Sequence, residues 1–195
     1  MSTPAPHSYV FGYGSLVDLA DLVAFLRREW LGPDDYTFCH LLDHRRSWNV
    51  ARDNHLDLPG YKFYRDPKTG ERPAIFITYV NVVPAPGGWV NGVAFRVEDQ
   101  ELERIRQRER NYRLTEIGDL LDMPFDAPVY TSIGLEAARE RYRRASSEGR
   151  ARIPRAYFER IEGAFRCLGE EPWAVYRAST DPPEVPVAEL ERVDC

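Results

Sequence analysis

With 195 residues, 43% of them hydrophobic and 12% aromatic, the chain suits one globular core and falls outside the disordered and fibrous classes. A formal charge of −5 provides no excess of Lys and Arg to meet a phosphate backbone, so no nucleic-acid partner is expected. No apolar run approaches the ~20 residues that cross a bilayer, and Met1–Ser8 lacks a basic-then-apolar leader, so the expectation is a cytoplasmic protein without a membrane partner.

Tyr9 to Phe11 is a short apolar run leading into Gly12-Tyr13-Gly14-Ser15, after which Leu16, Leu19, Leu22, Val23, Leu26 and Trp30 recur at helical spacing. The pattern predicts strand, glycine turn, helix. Thr37 to Trp48 reads as extended. Asn49 to Pro73 is polar, with turns at Pro59-Gly60 and Asp66 to Gly70, and predicts a long hairpin or a lid. Ala74 to Val83 and Trp89 to Val97 are rich in branched and aromatic residues; the break at Pro84-Ala85-Pro86-Gly87-Gly88 predicts two strands paired with each other. A helix is predicted from Asp99 to Asn111, acidic at its start and basic at its end, as the helix dipole favours.

Tyr112 to Ile117 and Pro128 to Ile133 read as strands, Leu135 to Ser147 and Pro154 to Leu168 as helices, and Trp173 to Arg177 as a last strand. Residues 1–178 form one predicted domain; 179–195 are an acidic, Pro-rich tail expected to pack loosely or wrap the surface. Strands in the middle and helices toward both ends predict an α+β fold. The arginines between Arg104 and Arg113 and between Arg139 and Arg155 have helical spacing and read as solvated faces.

Two features carry chemistry. The first is the turn Gly12 to Leu16, where a strand ends and a helix begins: first-turn N–H groups there lack helical partners, and the helix dipole adds positive potential, so an anion is expected to bind. A tight turn that merely uses glycine freedom is the alternative. Val17 stands where a dinucleotide fingerprint and a nucleophile elbow each need glycine, so Ser15 reads as a binding hydroxyl.

The second feature is Glu109. Leu102, Ile105, Glu109 and Tyr112 follow spacings of 3, 4 and 3, which puts a carboxylate on an apolar helical stripe. Such a group must be protonated, paired or lining a cavity. Pairing with Arg106 or Arg113 would hold it ionised, whereas desolvation would raise its pKa toward neutrality; the sequence leaves both open.

Cys39, Cys167 and Cys195 are too few and scattered for a disulfide framework or a zinc site, and Cys39 reads as core. His40 and His44 share a strand face without further converging ligands, so no metal is expected. Trp48, Trp89, Tyr61 and Tyr64 are candidates for either core or pocket wall.

Val10-Phe11-Gly12-Tyr13-Gly14-Ser15-Leu16 resembles the N-terminal signature of the ChaC, AIG2-like and gamma-glutamylcyclotransferase families. Arg108-Glu109 with Tyr112 resembles their catalytic-helix motif, Val90 to Phe95 the strand before it, and Pro154 to Gly169 their closing helix, so the likeness spans most of residues 9 to 176. The ChaC pattern has glycines where this chain has Arg110-Asn111.

The resemblance implies a mixed, mostly antiparallel sheet closing into a small β-barrel with flanking helices, and no cofactor or metal. It implies a carbon–nitrogen lyase in which Glu109 is the catalytic acid and base. Tyr13, Gly14, Ser15, Leu16 and Tyr112 would bind a small-molecule gamma-glutamyl substrate, releasing 5-oxoproline and a free amine or amino acid. The expected state is monomer or homodimer. The competing expectation is a binding module of the same fold that holds a gamma-glutamyl compound or other carboxylate without turnover.

Overall fold

The computed structural model describes residues 7–29, 32, 35–56 and 62–194. In chain order the elements are β1 (His7–Gly12), a short 3-10 helix (Ser15–Val17), α1 (Leu19–Leu26), β2 (Tyr36–Asp53), β3 (Lys62–Arg65), β4 (Phe76–Glu98) and α2 (Asp99–Arg108). Then come β5 (Tyr112–Glu116), a second 3-10 helix (Gly118–Leu120), β6 (Val129–Gly134), α3 (Glu136–Ser147), β7 (Ala151–Pro154), α4 (Arg155–Cys167), α5 (Glu170–Ala178), β8 (Val187–Ala188) and β9 (Glu191–Asp194). The class is α+β.

The main sheet is mixed. Its strands run in the order β5, β6, β1, β4, β7, β8, with β2 paired along β4. The long registers are antiparallel: β1 with β4 from His7 opposite Glu98 to Gly12 opposite Val93, β2 with β4 from Tyr36 opposite Phe95 to Asp53 opposite Phe76, and β5 with β6. Parallel pairs join β1 to β6, β4 to β7 and β7 to β8. β3 and β9 form a separate antiparallel ribbon.

β4 corrects the expectation of two strands paired with each other: Ala74 to Val83 and Trp89 to Val97 lie end to end, and both pair with β2. Prolines cannot donate to a ladder, so Pro84–Gly88 bulges out between Pro84 opposite His44 and Trp89 opposite Leu42. The Asp43 carboxylate accepts the Gly87 amide at 2.7 Å, and Asp43 and Gly87 both take positive φ, 56° and 76°, to make the bend. A second bulge sets Trp48 and Asn49 of β2 against Val80 of β4.

Other boundaries move for local reasons. The helix expected to run from Leu16 through Trp30 is interrupted at Asp18, whose carboxylate accepts the amides of Ala20 and Asp21 and so starts α1; Arg27, left-handed at φ 60°, ends it. Trp30 and Tyr61 lie outside the described residues. Trp173 to Arg177 is not a strand: it belongs to α5, where Trp173 and Tyr176, three residues apart, stack face to face at 5.4 Å. The segment after Ser179 contributes β8 and β9 and buries Val185.

The core lies between the sheet and the helices, with Phe11, Leu22, Phe95, Ile105, Ile161 and Phe165 fully enclosed. Cys39 is part of it. β1 and β4 approach so closely at Gly92 that a Cβ there would stand 2.4 Å from the Gly12 carbonyl oxygen and 2.5 Å from the Phe11 ring. Replacement Gly92→Ala is therefore expected to lower stability by about 1–3 kcal/mol, the usual cost of overpacking. Urea denaturation should show a lower midpoint at unchanged slope; a wild-type midpoint would mean that β1 withdraws from β4 without loss.

Candidate active site

Two glycines let the chain turn sharply from β1 into the first 3-10 helix. A Cβ on Gly12 would meet the Leu16 Cβ at 2.8 Å, and one on Gly14 would meet Val80 Cγ1 at 2.8 Å, so the turn lies flat on β4. The turn closes through Val17 N–H to the Gly14 carbonyl at 3.0 Å and Asp18 N–H to the Ser15 carbonyl at 3.4 Å. Among the described residues the amides of Gly14, Ser15 and Leu16 have no acceptor, as expected of the first donors of a helical turn.

Glu109 sits just past α2. Its amide still donates to the Ile105 carbonyl at 2.9 Å, while its own carbonyl accepts the Tyr112 amide at 2.9 Å and starts the reversal into β5. Leu102 and Ile105 anchor the same helical face in the core, so Glu109 is directed inward, with a side chain 19% exposed. Its charged neighbour is Arg108, with Nε 3.5 Å from Glu109 Oε1, and not Arg106, which pairs with Glu103. Burial pushes the Glu109 carboxyl above its ordinary pKa, outweighing the opposite pull of Arg108 and Lys62.

These two features meet. A recess of about 40 Å³ is lined by Tyr13, Gly14, Ser15, Leu16, Glu109 and Tyr112, together with Val80, Ser132 and Tyr157. All six residues singled out in the sequence therefore share one wall. The Tyr13 hydroxyl donates to the Ser132 carbonyl at 2.6 Å and the Tyr112 hydroxyl to the Val80 carbonyl at 2.7 Å. Both protons are thus committed to the frame, and burial raises both phenols' pKa. Each oxygen keeps lone pairs that a ligand N–H can use. Arg108 links the features again, its guanidinium donating to Ser15 Oγ at 3.4 Å while it lies over the Phe25 ring.

The recess adjoins a wider cavity of about 700 Å³, with Ser15, Glu109, Tyr112 and Tyr157 common to both walls. Among the described residues no group of three or more His, Cys, Asp or Glu side chains is placed to hold a metal ion. His40 Nδ1 is paired with Asp122 at 2.6 Å and His44 Nδ1 with the Leu42 carbonyl at 2.8 Å. Trp48 and Tyr64 are core residues, and Trp89 is exposed beside His40.

Several residues escape a sequence reading. Tyr157 reaches the recess from α4 and packs edge-on against Tyr79 at 5.2 Å. Ser132 Oγ lies buried at the recess with no partner among the described residues. Arg46 on β2 is fully buried, and among the described residues no carboxylate pairs with it. Its Nε donates to the Tyr13 carbonyl at 2.8 Å and Nη1 to Ser179 Oγ at 2.8 Å, and Nη2 donates to the Asn91 carbonyl and side-chain oxygens. The guanidinium lies 4.6 and 5.0 Å from the Phe165 and Tyr176 ring centroids, beside two rings that stack on each other at 4.5 Å. Burial lowers its pKa to about 9, so it remains charged at neutrality.

No protein-family model matches the sequence, and neither does any curated protein. Solved structures do match in three dimensions. A gamma-glutamyl cyclotransferase is similar over 94% of both chains at 12% identity, with a TM-score of 0.52. The uncharacterized human protein loc79017 is similar over 94% of both chains at 11% identity and the same TM-score. This chain has the gamma-glutamyl cyclotransferase-like fold. YkqA from Bacillus subtilis is similar to it over 93% of this chain and 56% of its own, at 14% identity and a TM-score of 0.52.

Within this version of the gamma-glutamyl cyclotransferase-like fold, Arg46 holds the glycine turn from behind. Arg46→Met should strand the Tyr13, Asn91 and Ser179 acceptors and cost about 3–5 kcal/mol. Arg46→Lys should recover little, because an ammonium cannot reproduce the planar fork. Chemical denaturation of the two variants measures both effects; a Lys variant as stable as wild type would contradict them.

Proposed function

We propose that the protein is a gamma-glutamylcyclotransferase-type enzyme, converting a gamma-glutamyl amide to 5-oxoproline and a free amine by intramolecular aminolysis. The observation that carries this reading is the convergence of an inward carboxyl with raised pKa, Glu109, and the unpartnered amides of Gly14, Ser15 and Leu16 on one recess. The similar fold of a gamma-glutamyl cyclotransferase supports it.

In this reading the amides receive the α-carboxylate of the glutamyl group, which a short helical turn favours through its N–H groups. The substrate's α-ammonium then lies against Glu109, which removes one proton. The freed amine attacks the γ-carbonyl carbon and the new ring C–N bond forms; Glu109 hands its proton to the departing nitrogen as the old C–N bond breaks, and the second proton of the ring nitrogen follows by the same route, so the lactam leaves neutral and the amine leaves as an ammonium. No water enters the balance. The nucleophile belongs to the substrate, so holding it folded supplies proximity, and one carboxyl whose proton affinity burial has raised serves both transfers.

The test incubates the protein with a panel of gamma-glutamyl amino acids, gamma-glutamyl amines and glutathione and measures 5-oxoproline. Turnover of at least one member is expected, with a loss of about 10²–10⁴-fold in Glu109→Gln, the usual worth of a positioned acid-base group. A non-catalytic carboxylate-binding module would instead be thermally stabilised by these compounds and form no 5-oxoproline.

The pH profile gives an independent check. Glu109 must be ionised to act, so kcat/KM falls as pH drops through its pKa, and that acidic limb should lie above the ordinary carboxylate range because burial raises the value. Arg108 pulls the value down, so Arg108→Met should move the limb to higher pH. A limb unmoved, or moved to lower pH, would assign it to another group.

A further inference from the structure

The wider cavity beyond Glu109 is rich in charge, and most of it is internally answered. Arg160 meets Asp21 at 2.7 Å, Arg192 meets Asp194 at 2.6 Å, and Arg108 faces Glu109 at 3.5 Å. Lys62, the first residue of β3, is different. Among the described residues no carboxylate lies within ion-pair distance of its ammonium, whose recorded neighbour is the face of the Tyr79 ring at 5.5 Å.

Its surroundings carry both signs: Arg108 and Arg192 line the same cavity, while Asp194 stands opposite it across β3 and β9, committed to Arg192, and Glu109 acts on its charge. Burial, Arg192 and Arg108 push the Lys62 pKa down to about 8, with Glu109 pulling the other way. A largely enclosed ammonium without a counter-ion is costly, and an arriving anion would remove that cost. The group in reach is set by the order of features along the cavity. The turn amides take the glutamyl α-carboxylate at the recess, Glu109 marks the amide that breaks, and what extends past Glu109 into the wider cavity is the leaving group. Lys62 and Glu109 stand close enough to shift each other's proton affinity. In a gamma-glutamyl amino acid the second carboxylate is attached one carbon from the scissile nitrogen, which places it on that side.

We infer that Lys62 binds a carboxylate carried by the leaving group, so that this site takes gamma-glutamyl amino acids or peptides in preference to gamma-glutamyl amines. The inference rests on the cyclotransferase reading above and adds the substrate class. It treats Lys62 as a specificity residue: the ammonium forms a charge-assisted hydrogen bond that a neutral alkyl group cannot replace. The remaining wall is permissive toward side chains, since a cavity of about 700 Å³ exceeds what a single small amino acid fills.

The experiment uses a matched pair, gamma-glutamylalanine and gamma-glutamylethylamine, which differ by one carboxylate, with wild type, Lys62→Met and Lys62→Arg. The readout is the ratio of kcat/KM values for 5-oxoproline release, with KM and kcat followed separately so that contact with the carboxylate is distinguished from a shift at Glu109. Wild type should favour the alanine compound by about tenfold or more, the size of one charge-assisted contact. Lys62→Met should bring the ratio close to one, through KM and kcat together, and Lys62→Arg should retain most of it. A wild-type ratio near one, or a ratio unchanged in Lys62→Met, overturns the inference while leaving cyclisation intact. Calorimetric binding of the same pair to Glu109→Gln, with and without Lys62→Met, separates the two readings if no turnover is seen. A preference for the alanine compound that Lys62→Met abolishes upholds the carboxylate site alone; equal or absent binding of the two compounds overturns it.

Discussion

A charged group that pairs with no carboxylate among the described residues holds this site together. Arg46 is buried against the stacked Phe165 and Tyr176 rings, and its guanidinium donates to oxygens of Tyr13, Asn91 and Ser179. Those acceptors belong to the turn after β1, to β4 and to the end of α5. Its main chain joins in: the Arg46 amide donates to the Ser179 carbonyl at 2.8 Å, and the Arg46 carbonyl accepts the Asp181 amide at 2.9 Å. Asn91 passes the link on by donating to the Pro172 carbonyl at 2.8 Å. Removing a guanidinium from water is expensive, and the neutral dipoles and ring faces around this one offset that cost only when all are in place. The glycine turn, the central strand and the C-terminal helices are therefore specified as one unit.

The consequence for the recess is geometric. In a trans peptide the carbonyl and the next N–H point in opposite directions. Fixing the Tyr13 carbonyl on Arg46 thus sends the Gly14 N–H away from Arg46 and fixes the plane of the first cradle amide. The Tyr13 side chain is fixed as well, through Ser132, and the missing Cβ at Gly14 lets the turn lie flat on Val80. Donors held before a ligand arrives lose little entropy when they bind it, which is what an anion cradle needs to favour one orientation.

The sequence made the two halves of the recess legible because each is a local violation of a pattern. Glycines at Gly12 and Gly14 interrupt the passage from strand to helix, and Glu109 follows Leu102 and Ile105 on a face that should be apolar. What it concealed was set by pairing across long stretches. Lys62 lies in a polar segment that composition assigns to a long hairpin or a lid, and it reaches the cavity because β3 pairs with β9, more than a hundred residues later. Arg46 is an arginine in a strand containing Arg45 and Arg46, of which one faces outward and one inward. Alternation does carry a signal there: Arg46 shares parity with Trp48, and both are buried. The signal is weak because the adjoining bulge at Trp48-Asn49 breaks the period two residues later. The end-to-end course of β4 was hidden for a similar reason, since a proline-rich stretch predicts a turn unless its partner strand bends with it, as Asp43 does.

The electrostatics of the cavity tie binding to reactivity. Burial raises the Glu109 carboxyl's pKa, while Arg108 and Lys62 restrain the rise. On the proposed placement, a leaving-group carboxylate settles against Lys62 and cancels much of that cation's field at Glu109. One of the two restraints is then lifted when the matching substrate is bound, and Glu109 becomes a stronger base at the moment it must take a proton from the α-ammonium. A neutral leaving group leaves Lys62 uncompensated and Glu109 held lower. A specificity contact and a proton-transfer group that share one field thus discriminate twice, once in binding and again in the readiness of the base, with no movement of the backbone required.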